Sequence, residues 1–215
     1  MNKTLSLIFG VALVSVSASA ALITNGDFES GNSGFTTNYT FVAAPGPCAM
    51  CPEGTYTVTS GSQTSNSFHG SWSPGVSPLG GNSMMLFNGL TGTGDEWAGT
   101  ATGLTIGNTY NVMGFGVSVF AANPANLQWF VGATAIGTGV NLPSSVGAPW
   151  TAFNGQFVAT ATTQALIIRS TQTAAGGNDF AIDSLTITDA AVPEPGTYAL
   201  FAAGLVGIAA IRRRK

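Results

Sequence analysis

From Thr109 to Phe120 the chain keeps a period of two: Met113, Phe115, Val117 and Val119 are large and apolar, while Gly114, Gly116 and Ser118 between them are small. Successive side chains of an extended strand point to opposite faces, so this spacing predicts a half-buried β-strand and not an amphipathic helix. Shorter stretches of the same kind recur. Leu22 to Phe28, Thr55 to Ser60, Met84 to Phe87, Trp97 to Thr102, Leu127 to Val131, Trp150 to Thr160, Gln164 to Ser170 and Phe180 to Thr188 read as strands set off by turn-forming residues. Between His69 and Asn82, prolines and glycine clusters predict a long irregular loop that carries Trp72. Away from the two chain ends no 3.6-residue period appears, and β-branched residues with glycine and serine outnumber helix formers. About nine or ten short strands at regular spacing fit an all-β, two-sheet sandwich.

The chain ends read differently. Lys3, an apolar run from Leu5 to Val16 and Ala18-Ser19-Ala20 give the charged, apolar and small-residue order of a secretory signal peptide over residues 1–20, with cleavage expected after Ala20. At the other end, residues 192–215 hold Pro193-Glu194-Pro195, an apolar run from Tyr198 to Ile211, and the cations Arg212, Arg213, Arg214 and Lys215. That run falls short of the ~20 residues of a stable membrane-spanning helix, so a transient span fits it better than a lasting anchor. The cations after it hold to the cytoplasmic side and place the rest of the chain across the membrane. The prolines keep the preceding segment extended and open to a processing enzyme. An ordinary tail anchor would leave Pro193-Glu194-Pro195 unexplained.

Removing both ends leaves residues 21–191, enough for one domain with a sizeable core. They hold eight acids and one base, Arg169, a net charge of −7 against −3 for the whole chain. One cation cannot neutralise a phosphate backbone, which excludes nucleic acid as a partner.

Pro193-Glu194-Pro195, the apolar run and the basic end, in that order, resemble the PEP-CTERM sorting signal of Gram-negative bacteria. The resemblance implies recognition by an exosortase-type membrane protease, transient membrane insertion, cleavage near Pro193-Glu194-Pro195, and delivery to the cell envelope, outer surface or extracellular matrix of a bacterium that makes exopolysaccharide. A second resemblance covers most of residues 21–191. Asn25-Gly26-Asp27-Phe28-Glu29, Pro52-Glu53-Gly54-Thr55-Tyr56 with Gly81-Asn82-Ser83-Met84-Met85, and Gly177-Asn178-Asp179-Phe180-Ala181-Ile182-Asp183 look like galactose-binding-like jelly rolls and, more loosely, carbohydrate-binding modules. The expected architecture is therefore a jelly-roll β-sandwich, flanked by a signal-peptide helix and a short hydrophobic C-terminal helix.

Candidate sites follow from both sources. Jelly rolls of the carbohydrate-binding type hold a structural calcium through acids of their first and last strands, and the matching positions are Asp27, Glu29 and Asp183. The alternative is that Asp27 caps a turn and Asp183 faces solvent. No other cofactor is required. Sugar binding uses aromatic faces beside amides and hydroxyls, and Trp72, in a loop with His69 and Ser71, is the candidate; Trp97, Trp129 and Trp150 read as core. Cys48 and Cys51 in a proline-rich loop of an exported chain predict a local disulfide, since with His69 alone they would make an incomplete metal site. One histidine and no Gly-x-Ser-x-Gly leave no catalytic set, so we expect a non-enzymatic envelope or matrix protein. The alternatives are a lectin-like module and a glycan-active enzyme.

Overall fold

Runs of valine, threonine and aromatic residues lie flat on a pleated surface, and in the computed structural model they form eleven strands among the described residues, 22–61, 63–147, 149–174, 176–190 and Gly204. The helices expected over residues 1–20 and within 192–215 lie outside the described residues, Gly204 apart. The strands are β1 Leu22–Ile23, β2 Thr40–Phe41, β3 Thr55–Val58, β4 Met85–Asn88, β5 Trp97–Thr102, β6 Thr109–Ser118, β7 Asn126–Val131, β8 Thr134–Asn141, β9 Thr151–Val158, β10 Gln164–Ser170 and β11 Phe180–Asp189. They pair as a five-stranded sheet, β1-β5-β10-β7-β8, facing a six-stranded sheet, β2-β3-β4-β11-β6-β9. Every pair is antiparallel except β2 with β3. This is the expected all-β jelly-roll sandwich.

The main core fills the space between the sheets. Trp97, Leu166, Ile168, Leu127 and Trp129 from the five-stranded sheet meet Phe87, Phe180, Ile182, Val112, Tyr110 and Phe153 from the six-stranded one. Phe87 stacks on Phe180 with ring centres 4.7 Å apart, and Trp129 stacks on Phe153 at 5.6 Å.

A second apolar cluster lies on the opposite face of the six-stranded sheet. Leu86, Val117 and Ala181 on that face are covered by Met50, Phe68, Trp72 and Val76 from the long segments on either side of β3. These segments cover only half of the face. The half formed by the start of β6 and the ends of β9 and β11 stays open.

Several strand boundaries differ from the sequence reading. The first strand stops at Ile23 because Asn25 takes φ 53° and its side-chain amide donates to the carbonyls of Gly31 and Ser33, both at 2.8 Å. Gly26 then passes so close to β11 that a Cβ there would lie 2.1 Å from the Leu185 carbonyl oxygen. Trp150 precedes β9, and β2 and β8 lie where no strand was expected. Finally, β11 carries a register shift between Asp183 and Thr186, with Ser184 at φ 55°. The inserted residue lets Ile182, Leu185 and Ile187 all face the main core.

Candidate functional site

On the open half of the six-stranded sheet, outward-facing side chains fall into rows fixed by the register. Thr188, Asn111 and Gln156 are neighbours across β11, β6 and β9, and Thr186, Met113 and Asn154 form the next row. The Gln156 side-chain amide donates to the Asn111 side-chain oxygen at 3.0 Å, which sets the orientation of both amides. Met113 stays exposed between them. A groove of about 570 Å3 runs over these residues and is closed on one side by Gly137 of β8. At Gly137 the backbone has φ 71° and a Cβ would lie 2.3 Å from the Asn154 carbonyl oxygen, so glycine is what lets β8 approach β9 here. The groove thus offers amide donors and acceptors, two hydroxyls and one apolar side chain, and no charged residue lines it. Such a surface can hydrogen-bond to the hydroxyls of a neutral polyol chain.

Sequence reasoning did not single out these six residues. Their polar alternation on β6 and β9 is visible in the chain, but which strands lie side by side is not.

The expectation for Trp72 is corrected. Its indole is fully buried in the second cluster, its Nε1–H donates to Asp179 Oδ2 at 2.9 Å, and the His69 ring stacks on it with centres 4.8 Å apart. A ring with both its face and its donor engaged cannot serve as a stacking platform for a sugar. The Asp179 carboxylate also accepts from the Gly89 N–H at 3.1 Å; burial nevertheless pushes its pKa up. His69 Nδ1 accepts from the Ser71 N–H at 3.2 Å. A small cavity of about 190 Å3 beside them is lined by Glu53, Phe120 and the Cys51 end of the Cys48–Cys51 disulfide, whose sulfurs are 1.96 Å apart.

The calcium set is also corrected. Glu29 Oε1 accepts from the backbone N–H groups of Asn82 and Ser83 at 2.7 and 2.9 Å, and Asp183 Oδ2 accepts from the Leu79 N–H at 2.9 Å. Both acids therefore clasp one loop, residues 79–83, from its two ends. Asp27 is exposed and its Oδ1 accepts from the Glu29 N–H at 3.3 Å. Among the described residues no three acids, histidines or cysteines come close enough to share a metal ion. Glu29 Oε1 and both Asp183 oxygens are instead engaged by backbone N–H donors, so the three acids do not come together as a calcium ligand set. Burial pushes the Asp183 carboxyl up to about 6, against the pull of those N–H groups.

Comparison with known proteins bears on both parts of the chain. Residues 191–215 match the PEP-CTERM protein-sorting motif, which marks an exported protein, transiently anchored in the membrane and processed by exosortase. The fold is similar to the CBM22-1 xylan-binding domain of Xyn10C from Paenibacillus barcinonensis, with a TM-score of 0.50, 12% identity, and coverage of 83% of this chain and 99% of that one. The tandem CBM22-1-CBM22-2 domain of the same protein aligns at a TM-score of 0.50 and 16% identity, over 86% of this chain and 49% of that one. A cyclase from Fischerella sp. TAU, solved with 4-(1H-indol-3-yl)butan-2-one, aligns at a TM-score of 0.54 and 13% identity, over 81% of this chain and 100% of that one. Binding domains and a cyclase share this fold, so these likenesses establish the jelly roll alone. No curated protein matches the sequence.

Proposed function

We propose that residues 21–191 form a non-enzymatic glycan-binding domain. An N-terminal signal peptide, residues 1–20, exports it, and an exosortase releases it at Pro193-Glu194-Pro195 to the envelope or extracellular matrix. There it associates with exopolysaccharide, as in a biofilm. The observation that carries this reading is the open groove of Asn111, Met113, Asn154, Gln156, Thr186 and Thr188, a row of amides and hydroxyls on an otherwise well-packed sandwich. An amide that reaches a sugar hydroxyl contributes about 1 kcal/mol net. Removing one therefore weakens binding roughly 5–10-fold.

A polysaccharide array probed with the full chain tests this. The expected result is retention on a defined set of neutral glycans that drops by that factor in Asn154→Ala and Gln156→Ala, with melting curves unchanged. Binding that ignores both substitutions would remove the groove from the account. Release of reducing ends that stops in Asp179→Asn would replace the binding role with a glycan-active enzyme.

A further inference from the structure

The three most exposed large apolar side chains among the described residues are Ile106, Leu22 and Val158, at 62%, 60% and 55%. All three lie at one end of the sandwich. Leu22 pairs with Thr102 at the end of β5, Val158 pairs with Thr109 at the start of β6, and Ile106 sits in the turn between those two strands. Backbone bonds tie the turns together: Leu104 N–H donates to the Thr162 carbonyl, and Gly107 N–H donates to the Ala159 carbonyl. The Ala190 N–H donates to the Thr109 carbonyl, so the chain leaves β11 toward residues 191–215 from this same end.

Asp189 is the one acid in the strands and turns around Ile106, so little charge lies beside these apolar side chains.

We propose that this end is a membrane-facing surface: while the sorting segment is inserted, Ile106, Val158 and Leu22 rest on the lipid headgroup layer. The proposal rests on the sorting reading. Seven residues lie between Ala190 and Tyr198, and the eight steps across them reach at most about 29 Å, which keeps this end close to the bilayer. Branched apolar side chains partition into the headgroup–acyl boundary, and little charge at this end opposes them. Tether and partitioning thus fix the same orientation.

The test uses the full chain in vesicles of phosphatidylethanolamine and phosphatidylglycerol. Both native cysteines are in the disulfide, so one added cysteine takes a polarity-sensitive fluorophore selectively. Ile106→Cys, Thr93→Cys at the far end and Gly204→Cys in the sorting segment are labelled in separate preparations. Iodide quenching is expected to be about fivefold weaker at 106 than at 93, as for a side chain seated at the boundary. A shielded 204 with 106 and 93 equally open would overturn the membrane-facing surface alone. An open 204 would overturn it together with the sorting reading. Shielding at 106 that appears only when the processing protease is added would assign the surface to a protein instead.

Discussion

Glu96 stands just before β5 with 2% of its surface exposed, and its Oε2 has no hydrogen-bond partner. The Tyr39 hydroxyl donates to Oε1 at 3.4 Å and itself accepts from the Leu90 N–H; burial first, then the charge of Glu96, pushes the phenol pKa up. Burial pushes the Glu96 carboxyl from 4.5 up to about 8. The unfolded chain releases this proton near pH 4.5 and the folded one holds it until about pH 8, so folding stability falls as pH rises through that window and is level outside it. The linked loss has a ceiling of about 5 kcal/mol. Glu96→Gln should flatten the slope and stabilise the domain above pH 8; urea midpoints measured at several pH values check this, and an unchanged slope would place the titration elsewhere. The neighbouring Asp95, by contrast, pairs with Arg169 at 2.6 Å in a half-exposed position and contributes little. None of this could be read from the Asp95-Glu96 dipeptide, which looks like a solvated turn in sequence. Trp72 misled for the same reason. A tryptophan among glycines, serines and prolines reads as a surface ring until the chain around it is seen to lie on a sheet and bury it.

The loop clasped by Glu29 and Asp183 shows how two distant motifs act as one element. Gly81 approaches Glu29 so closely that a Cβ there would lie 2.3 Å from Oε1, and φ 61° at Gly81 completes the turn. Glu29→Ala should remove the protein acceptor of the Asn82 and Ser83 amides and cost about 1 kcal/mol. Hydrogen exchange at those two amides should rise while exchange in β6 stays slow; equal acceleration in both would mean that the carboxylate supports the whole sandwich. The long strands were legible in the chain because apolar and small residues alternate through β6 and β9. β8 was not, since Gly137 and Gly139 break its pattern and most of its side chains are exposed at a sheet edge. β2 is two residues long and pairs parallel to β3, which leaves no periodicity to detect. The groove was hidden for a related reason. Alternation identifies the outward-facing residues of each strand, but the neighbours β11, β6 and β9 are assembled only by the fold.

For the whole chain, the sorting motif at residues 191–215 sets a prediction that needs no ligand. Intact mass of protein recovered from the envelope or medium should begin near Ala21 and stop close to Pro193-Glu194-Pro195. Replacing Arg212, Arg213, Arg214 and Lys215 by neutral residues should leave the tail uncleaved. Surface protein that retains Tyr198 to Lys215 would establish a lasting anchor in place of sorting. The jelly roll and the sorting tail were both legible in the sequence, because each depends on local pattern and order. The gathering of exposed apolar side chains at one end was not, because it arises from turns 50 or more residues apart, such as those at Ile106 and Val158. Leu22 and Ala190 leave the sandwich at one end, so the domain hangs from its neighbours in the chain as a loop does. It can be lifted out and exchanged for another β-sandwich whose ends also meet at one pole, and the sorting motif at residues 191–215 would not register the change. An organism with such a cassette can diversify what it displays while leaving its secretion machinery untouched.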